Sequence, residues 1–280
     1  MDMMELPDDC IISILGRTTP WDVTRLAGVC SSFKRAAESD VLWLNFLPSD
    51  YKSICGVVEK LAKSGTVKEV VKNLAAGVFL DDGLQKFVLL HRSKGVCRKL
   101  SVAAMDVAWG TDMRFWKWEH SRSSCFGKVA HLLAICWLEV CGTWSCSLPP
   151  GSYTAVWRLR VANPQGGRFY FLSWQKPLSF TITTSDNQEL EKTLDLSQAP
   201  GKTFEDWVEF EVGTFTVSGE GYSVKQVDIA YGIRETDCTY WKGGLYLDCL
   251  TLRPAGCEED VPPILKDREF TKIRGHPGVF

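Results

Sequence analysis

The stretch LPDDCIISILGRTTPWDVTRLAGVCSSFKRAAESDVLWLNF, residues 6–46, decides how the chain begins. Asp8 and Asp9 suit the cap of a first helix, because Ile11, Ile14 and Leu15 then fall on one face at i, i+3, i+4 spacing. Thr19 followed by Pro20 is a cap-then-proline start for a second helix running through Val29. Ser31 or Ser32 opens a third short helix over 33–37, and Asp40 caps a fourth turn carrying Leu42, Trp43 and Phe46. Residues 1–50 therefore form a small helical domain. About 40 to 50 residues bury too little surface to be stable in isolation, and these helices carry more apolar anchors than they can cover. They need a neighbour, either the next domain or another chain.

The ordered run Leu6-Pro7, Ile14-Leu15, Pro20, Leu26, Val29-Cys30, Phe33, Leu42-Trp43 resembles the F-box motif over essentially its whole length. The resemblance implies docking on a Skp-type adaptor, which joins such segments to a cullin scaffold and a RING protein in an SCF-type ubiquitin ligase. It assigns Leu6, Pro7, Ile11, Ile14, Leu15, Pro20 and Val29 to the adaptor interface or to the packing beneath it. A few desolvated apolar anchors would dominate such a helix-in-groove contact.

Composition narrows the rest. The 280 residues are 45% hydrophobic and 24% charged, an ordinary balance for one large domain or two smaller ones. A formal charge of -2, with no extended stripe of Lys and Arg, argues against direct nucleic-acid binding. The first residues, Met-Asp-Met-Met-Glu, lack a signal peptide's basic and apolar regions, and no run approaches a membrane span. An intracellular chain without membrane partners is expected, so the eleven cysteines read as reduced, mostly core thiols. Cys136, Cys141 and Cys146 with His131 are the nearest thing to a metal signal, but no CxxC pair exists; neither metal nor cofactor is expected. If 132–140 is a strand, Cys136 simply alternates with Trp137 as packing.

Residues 51–83 read as a helical linker: Val57, Val58 and Leu61, a break at Gly65, then Val67, Val70, Val71 and Leu74 at helical spacing. From Val78 the period changes to two, with turns at Asp81-Asp82-Gly83 and Lys94-Gly95 separating short runs at 86–91 and 96–103. Tyr153, Ala155, Trp157, Leu159 and Val161 alternate with Thr154, Arg158 and Arg160, a half-buried strand with one solvated face. Val208, Phe210 and Val212 alternate with Glu209 and Glu211, and Val227, Ile229, Tyr231 and Ile233 with Asp228 and Arg234. Residues 245–252 are apolar enough to be central. Many short strands with Gly and Pro turns indicate a sandwich or barrel over 84–254, followed by a loose tail over 255–280.

Eleven tryptophans are many, and Trp109, Trp116 and Trp118 lie close together in 106–119. Residues 116 and 118 share a strand face. Aromatics beside Asp112, Arg114 and Glu119 suit a carbohydrate site, in which rings stack on a sugar and polar groups read its hydroxyls; a sandwich core uses tryptophan equally well. Leu100-Ser101, Ala108-Trp109-Gly110, Trp116-Lys117-Trp118 and Cys136-Trp137-Leu138-Glu139 resemble the phloem protein 2 family, the Nictaba-related plant lectins. So do 207–213, Trp241-Lys242-Gly243-Gly244-Leu245 and Arg253-Pro254. The resemblance implies a jelly-roll-like antiparallel β-sandwich binding N-acetylglucosamine-containing or related glycans in cytoplasm and nucleus. It assigns sugar contacts to Trp109 and Trp116, with Trp118 as a neighbour. Two departures stand out: a loop over 143–150 holding Trp144 and Cys146, and a glycine-rich aromatic stretch over 163–177.

Nothing points to catalysis. The four histidines are scattered, no GxSxG, P-loop or HExxH motif occurs, Asp81-Asp82 reads as a turn, and Glu209 with Glu211 as a solvated pair. The sequence thus predicts an α+β, multidomain, non-catalytic chain. Its F-box would recruit the ligase, and its lectin-like sandwich would select a glycan or glycoprotein target. A sandwich that binds a non-glycosylated protein within the same ligase, or a stand-alone lectin, are the other readings.

Overall fold

Among the described residues six short α-helices open the chain: α1 (Asp8–Leu15), α2 (Pro20–Leu26), α3 (Ser31–Ala36), α4 (Asp40–Leu44), α5 (Tyr51–Val57) and α6 (Val67–Ala75). They come from a computed structural model that describes residues 6–57, 65–162, 172–196, 204–219 and 223–257. Thr19 caps α2 through a reciprocal box with Asp22, its Oγ1 accepting from Asp22 N at 3.1 Å. The other caps differ from expectation. Pro7 precedes α1 without a side-chain cap, and Asp8 and Asp9 sit in the first turn, where their charge favours the exposed N–H groups. Asp40 is likewise the first residue of α4, and its Oδ1 accepts from Val67 N at 3.0 Å, joining α4 to α6. Val58 and Leu61 of the expected linker lie outside the described residues.

Ile11, Leu15, Val23, Leu42, Trp43 and Phe46 are the interior of this bundle, each at most 2% exposed. Trp43 Nε1 donates to Ala37 O at 2.8 Å, so its polar edge is satisfied while its ring packs edge-on to Phe46. Burying that ring is worth about 3–5 kcal/mol against alanine.

Residues 87–97, expected in the sandwich, group instead with the helices. Trp21 N donates to His91 O at 3.1 Å, the two rings meet edge-on, and Lys94 Nζ reaches Gly16 O at 2.7 Å. Val88, Leu90 and Cys97 make a small cluster, against which Cys257 packs. These partners are distant in sequence, which is why periodicity alone could not assign the hairpin.

The remaining strands are β1 (Val78–Leu80), β2 (Gln85–Leu89), β3 (Val96–Ser101), β4 (Asp106–Val107), β5 (Trp116–His120), β6 (Lys128–Leu132), β7 (Leu138–Leu148), β8 (Gly151–Val161), β9 (Leu178–Thr184), β10 (Glu189–Leu194), β11 (Phe204–Val217), β12 (Lys225–Glu235) and β13 (Leu245–Pro254). One antiparallel sheet runs β10-β9-β12-β7-β4. In the other, β13 is central, pairing β8 along one edge and β6 and β3 along the other; β11 continues outward from β8, and β5 from β6. Trp157 on β8 packs against Phe180 of β9 and Tyr231 of β12, so the inner faces of the two sheets enclose one core. The architecture is α+β, with helices followed by an antiparallel β-sandwich.

Several local expectations change. Trp144 and Cys146 are core residues of β7, not a loop, and residues 133–137 form an irregular connection, so 132–140 is not one continuous strand. The outer side chains of β8 are not freely solvated: Thr154 is buried, and Arg158 and Arg160 stack on Trp207 at 4.8 and 5.7 Å. Glu209 and Glu211 are exposed, as expected of a solvated pair, and are also forked by Arg253 at 2.5 and 2.7 Å. The tail beyond Cys257 and residues 163–171 lie outside the described residues.

Candidate functional site

Two surfaces offer recognition chemistry. On the helical unit, α1 presents Pro7, Cys10 and Ile14 on one face (i, i+3, i+7), while Ile11 and Leu15 turn inward. Ile14 is 49% exposed, Val29 68% and Val41 62%, and Leu44 is exposed too. Of the sequence-predicted adaptor residues, Pro7, Ile14 and Val29 are thus at the surface, Leu6 is half-buried, and Ile11, Leu15 and Pro20 pack beneath. Asp8 and Arg35 hold α1 to α3 through a bidentate pair of 2.8 and 3.1 Å. The pair keeps the Asp8 carboxyl below its ordinary range.

On the sandwich, the loop after β4 carries the most exposed tryptophan. Ala108 N donates to Glu139 O at 2.9 Å, then the chain reverses with Trp109 in the left-handed region (φ 61°). A bulky residue there is strained, and such strain persists where surrounding bonds over-determine it. Here Gly110 N donates to Val107 O at 2.8 Å and Asp112 N to Trp109 O at 2.9 Å. A Cβ on Gly110 would lie 2.9 Å from Val107 O, so the turn requires glycine. Asp112 clasps Arg114 (Nη2 at 2.7 Å) and its carboxyl is held below the usual range by that bond.

Trp109, 61% exposed, meets Phe115 edge-on at 6.1 Å, and Phe115 lies 6.3 Å from Trp241. With Arg114, Ile135 and the exposed Trp137, these rings line an open groove of about 670 Å³. A wider adjoining hollow runs from Trp109 past Thr111 and Trp118 to Glu139.

The two loops bearing Trp137 and Trp241 are anchored by a fully buried lysine. Lys242 Nζ donates to the carbonyls of Cys136 (2.5 Å), Asp237 (3.0 Å) and Glu235 (3.2 Å) and pairs with the Glu235 carboxylate. Its backbone exchanges bonds of 2.8 and 2.9 Å with Ile135. A Cβ on Gly243 would meet Leu133 O at 2.3 Å, so this approach also requires glycine. Glu139, bonded to Arg234 at 2.9 Å, borders Trp137.

The three tryptophans predicted as sugar contacts separate. Trp109 is exposed, and Trp118 is half-buried, with Nε1 donating to Gly110 O at 2.8 Å. Trp116 is instead a core side chain, 1% exposed, with Nε1 tied to Ala108 O at 3.0 Å. It supports the Trp109 loop from below and offers no ring face to a ligand. Phe115, Trp137 and Trp241 complete the aromatic lining and were not singled out from sequence; their signal was the Trp-Lys-Gly-Gly turn and the Cys-Trp pair ahead of a strand. Cys136, Cys141, Cys146 and His131 do not assemble; the donor group that does form among the described residues is Cys125, Asp248 and Cys249.

A helical segment exposing an apolar face is followed by a sandwich exposing a groove of aromatic rings. Residues 95–254 match the phloem protein 2 family and residues 3–48 match the F-box-like family. The chain belongs to the phloem protein 2 family and carries an F-box-like segment ahead of that domain. Among its relatives, F-box protein PP2-A15 of Arabidopsis thaliana is 32% identical over 90% of this chain and 88% of its own length. F-box protein PP2-A13 of the same plant is 28% identical over 92% and 90%. A family 35 carbohydrate binding module from Clostridium thermocellum superposes with a TM-score of 0.33 at 12% identity, covering 57% of this chain and 98% of the module. No helix among the described residues is long and apolar enough to cross a membrane.

Proposed function

We propose that the protein is the substrate-receptor subunit of an SCF-type ubiquitin ligase, acting in the cytoplasm and nucleus. Pro7, Ile14 and Val29 dock on a Skp-type adaptor, and the groove of Trp109, Phe115, Trp137 and Trp241 holds a glycan on the target. The observation that carries the sugar reading is the groove itself: exposed rings held on anchored loops, bordered by Arg114 and Glu139. Ring faces stack on the apolar face of a pyranose, and charged groups at the rim read its hydroxyls. The protein positions its target and leaves catalysis to its partners, since holding a substrate on the same scaffold as the charged enzyme raises its effective concentration.

The burial of Trp116 favours a second reading, in which the same groove takes an apolar segment of a non-glycosylated protein. A glycan array probed with wild type and with Trp109→Ala separates the two. Binding of N-acetylglucosamine-containing glycans that is lost in the variant supports the first, and a blank array with wild type supports the second.

A further inference from the structure

The outer face of the β13 sheet holds a thiol pair set among charges, away from the aromatic groove. Leu247 and Leu250 both face the core although an ordinary strand would alternate them, because the register against β8 shifts between Leu247 and Cys249. The inserted residue is a β-bulge, and it turns both Asp248 and Cys249 to the opposite face. The 121–127 loop covers them: Ser124 Oγ donates to Asp248 Oδ1 at 2.6 Å and Cys125 N to Asp248 Oδ2 at 3.0 Å. Arg158 pairs with the same carboxylate. Lys99 Nζ lies 3.4 Å from Cys125 Sγ, and the sulfurs of Cys125 and Cys249 lie within 4.8 Å of each other. Cys249 is fully buried and Cys125 half-buried.

We propose that Cys125 is a peroxide-reactive thiol and that Cys249 is its resolving partner, so that hydroperoxides convert the pair to a disulfide. The Cys125 thiolate attacks one oxygen of the peroxide. A sulfur–oxygen bond forms, the O–O bond breaks, and the departing alkoxide or hydroxide takes a proton from solvent. The Cys249 thiol then attacks the sulfenic sulfur; the sulfenic hydroxyl leaves as water with the Cys249 proton, and two electrons have passed from the thiols to the peroxide. The sulfurs, within 4.8 Å of each other, must close to about 2.05 Å to bond. The Cys249 hydrogen bond, with Lys99 and Arg158 assisting against burial and the Asp248 charge, brings the Cys125 thiol down to about 7. Cys249 is pushed up by the same hydrogen bond and by burial, so the roles are asymmetric. The two adjacent cations disfavour a divalent metal ion on the same three groups.

At pH 7 a thiol titrating at about 7 is roughly 50-fold more ionised than one at 9.0, and its lower basicity costs about tenfold in nucleophilicity, leaving a gain of about fivefold. Limiting iodoacetamide on the reduced full-length chain, read by peptide mass spectrometry, should therefore alkylate Cys125 at least fivefold faster than Cys238. Cys238 is exposed, but its thiol is pushed up by Cys136. A modest excess of hydrogen peroxide should then yield the Cys125–Cys249 linked peptide. Cys249→Ser, whose hydroxyl keeps a hydrogen-bond donor beside Cys125, should instead stop at a dimedone-trapped sulfenic acid on Cys125. Alkylation of Cys125 no faster than of Cys238, an oxidised wild type without the linked peptide, or stoichiometric zinc that protects both thiols would each overturn the assignment.

Discussion

Replacing Lys242 by methionine tests whether the groove depends on its buried anchor. The side chain is fully buried, and Glu235, its partner, is 5% exposed, so solvent screening offers neither charge relief. Methionine keeps the length but leaves one carboxylate uncompensated in the interior, which costs about 3–5 kcal/mol, and it orphans three carbonyls. For a domain of this size each kcal/mol shifts the midpoint by about 2–4 °C, so a loss near 4 kcal/mol lowers it by about 8–16 °C. Thermal and urea melts followed by near-ultraviolet circular dichroism read the change, and groove binding should weaken with it as Trp137 and Trp241 lose their support. Adding Glu235→Leu removes the stranded charge and should recover part of the stability, the three carbonyls still lacking their donor. A loss below about 1 kcal/mol in the single variant, or no recovery in the double, would refute this account of the anchor.

The two tryptophan classes should part cleanly. Trp109→Ala or Trp241→Ala should leave the melting midpoint nearly unchanged and abolish ligand binding, whereas Trp116→Ala should cost about 3–5 kcal/mol of stability, read in the same melts. On the helical unit, Ile14→Asp with Val29→Asp should weaken adaptor capture at least about 30-fold, measured by pull-down titration, without unfolding the bundle; Trp43→Ala should unfold it. His131, stacked on Tyr246 with centroids 3.9 Å apart, is held below its ordinary 6.5 by burial, against the opposing bond from Glu119. Its neutral form is the one the fold favours. Its contribution to stability is therefore complete above 6.5 and is lost as pH falls through the lower folded value. An imidazole titration by NMR with a midpoint at or above 6.5 would contradict this.

What the sequence discloses is what is local. The Thr19-Pro20 start, the alternation of β12 and the apolar run of β13 needed no partner to be read, because capping and strand parity act over a few residues. Two misses are local, the caps of α1 and α4, where Asp8, Asp9 and Asp40 fall one or two residues inside the helix; the others are long-range. Arg158 and Arg160 looked solvated until Trp207 and Tyr246 arrived from β11 and β13. Trp144 reads as part of a loop over 143–150, yet it lies in β7 and its Nε1 finds Gln85 at 3.0 Å, from a segment 59 residues earlier. Trp116 and Trp118 share a strand face by parity, but only the assembled core decides that one ring is sealed and the other half-open. The exposed trio of Trp109, Trp137 and Trp241 comes from three separate loops, and Lys242 joins two of them; no spacing in the chain announces that meeting.

The central claim is that one chain holds adaptor and target at once, and a bridging capture tests it directly. Purified Skp-type adaptor is passed over immobilised N-acetylglucosamine-containing glycan, with and without the full chain. The account predicts adaptor retained only when wild type is present, and lost with either Ile14→Asp/Val29→Asp or Trp109→Ala. A wild-type chain that binds adaptor in solution yet retains none on any glycan surface would contradict it.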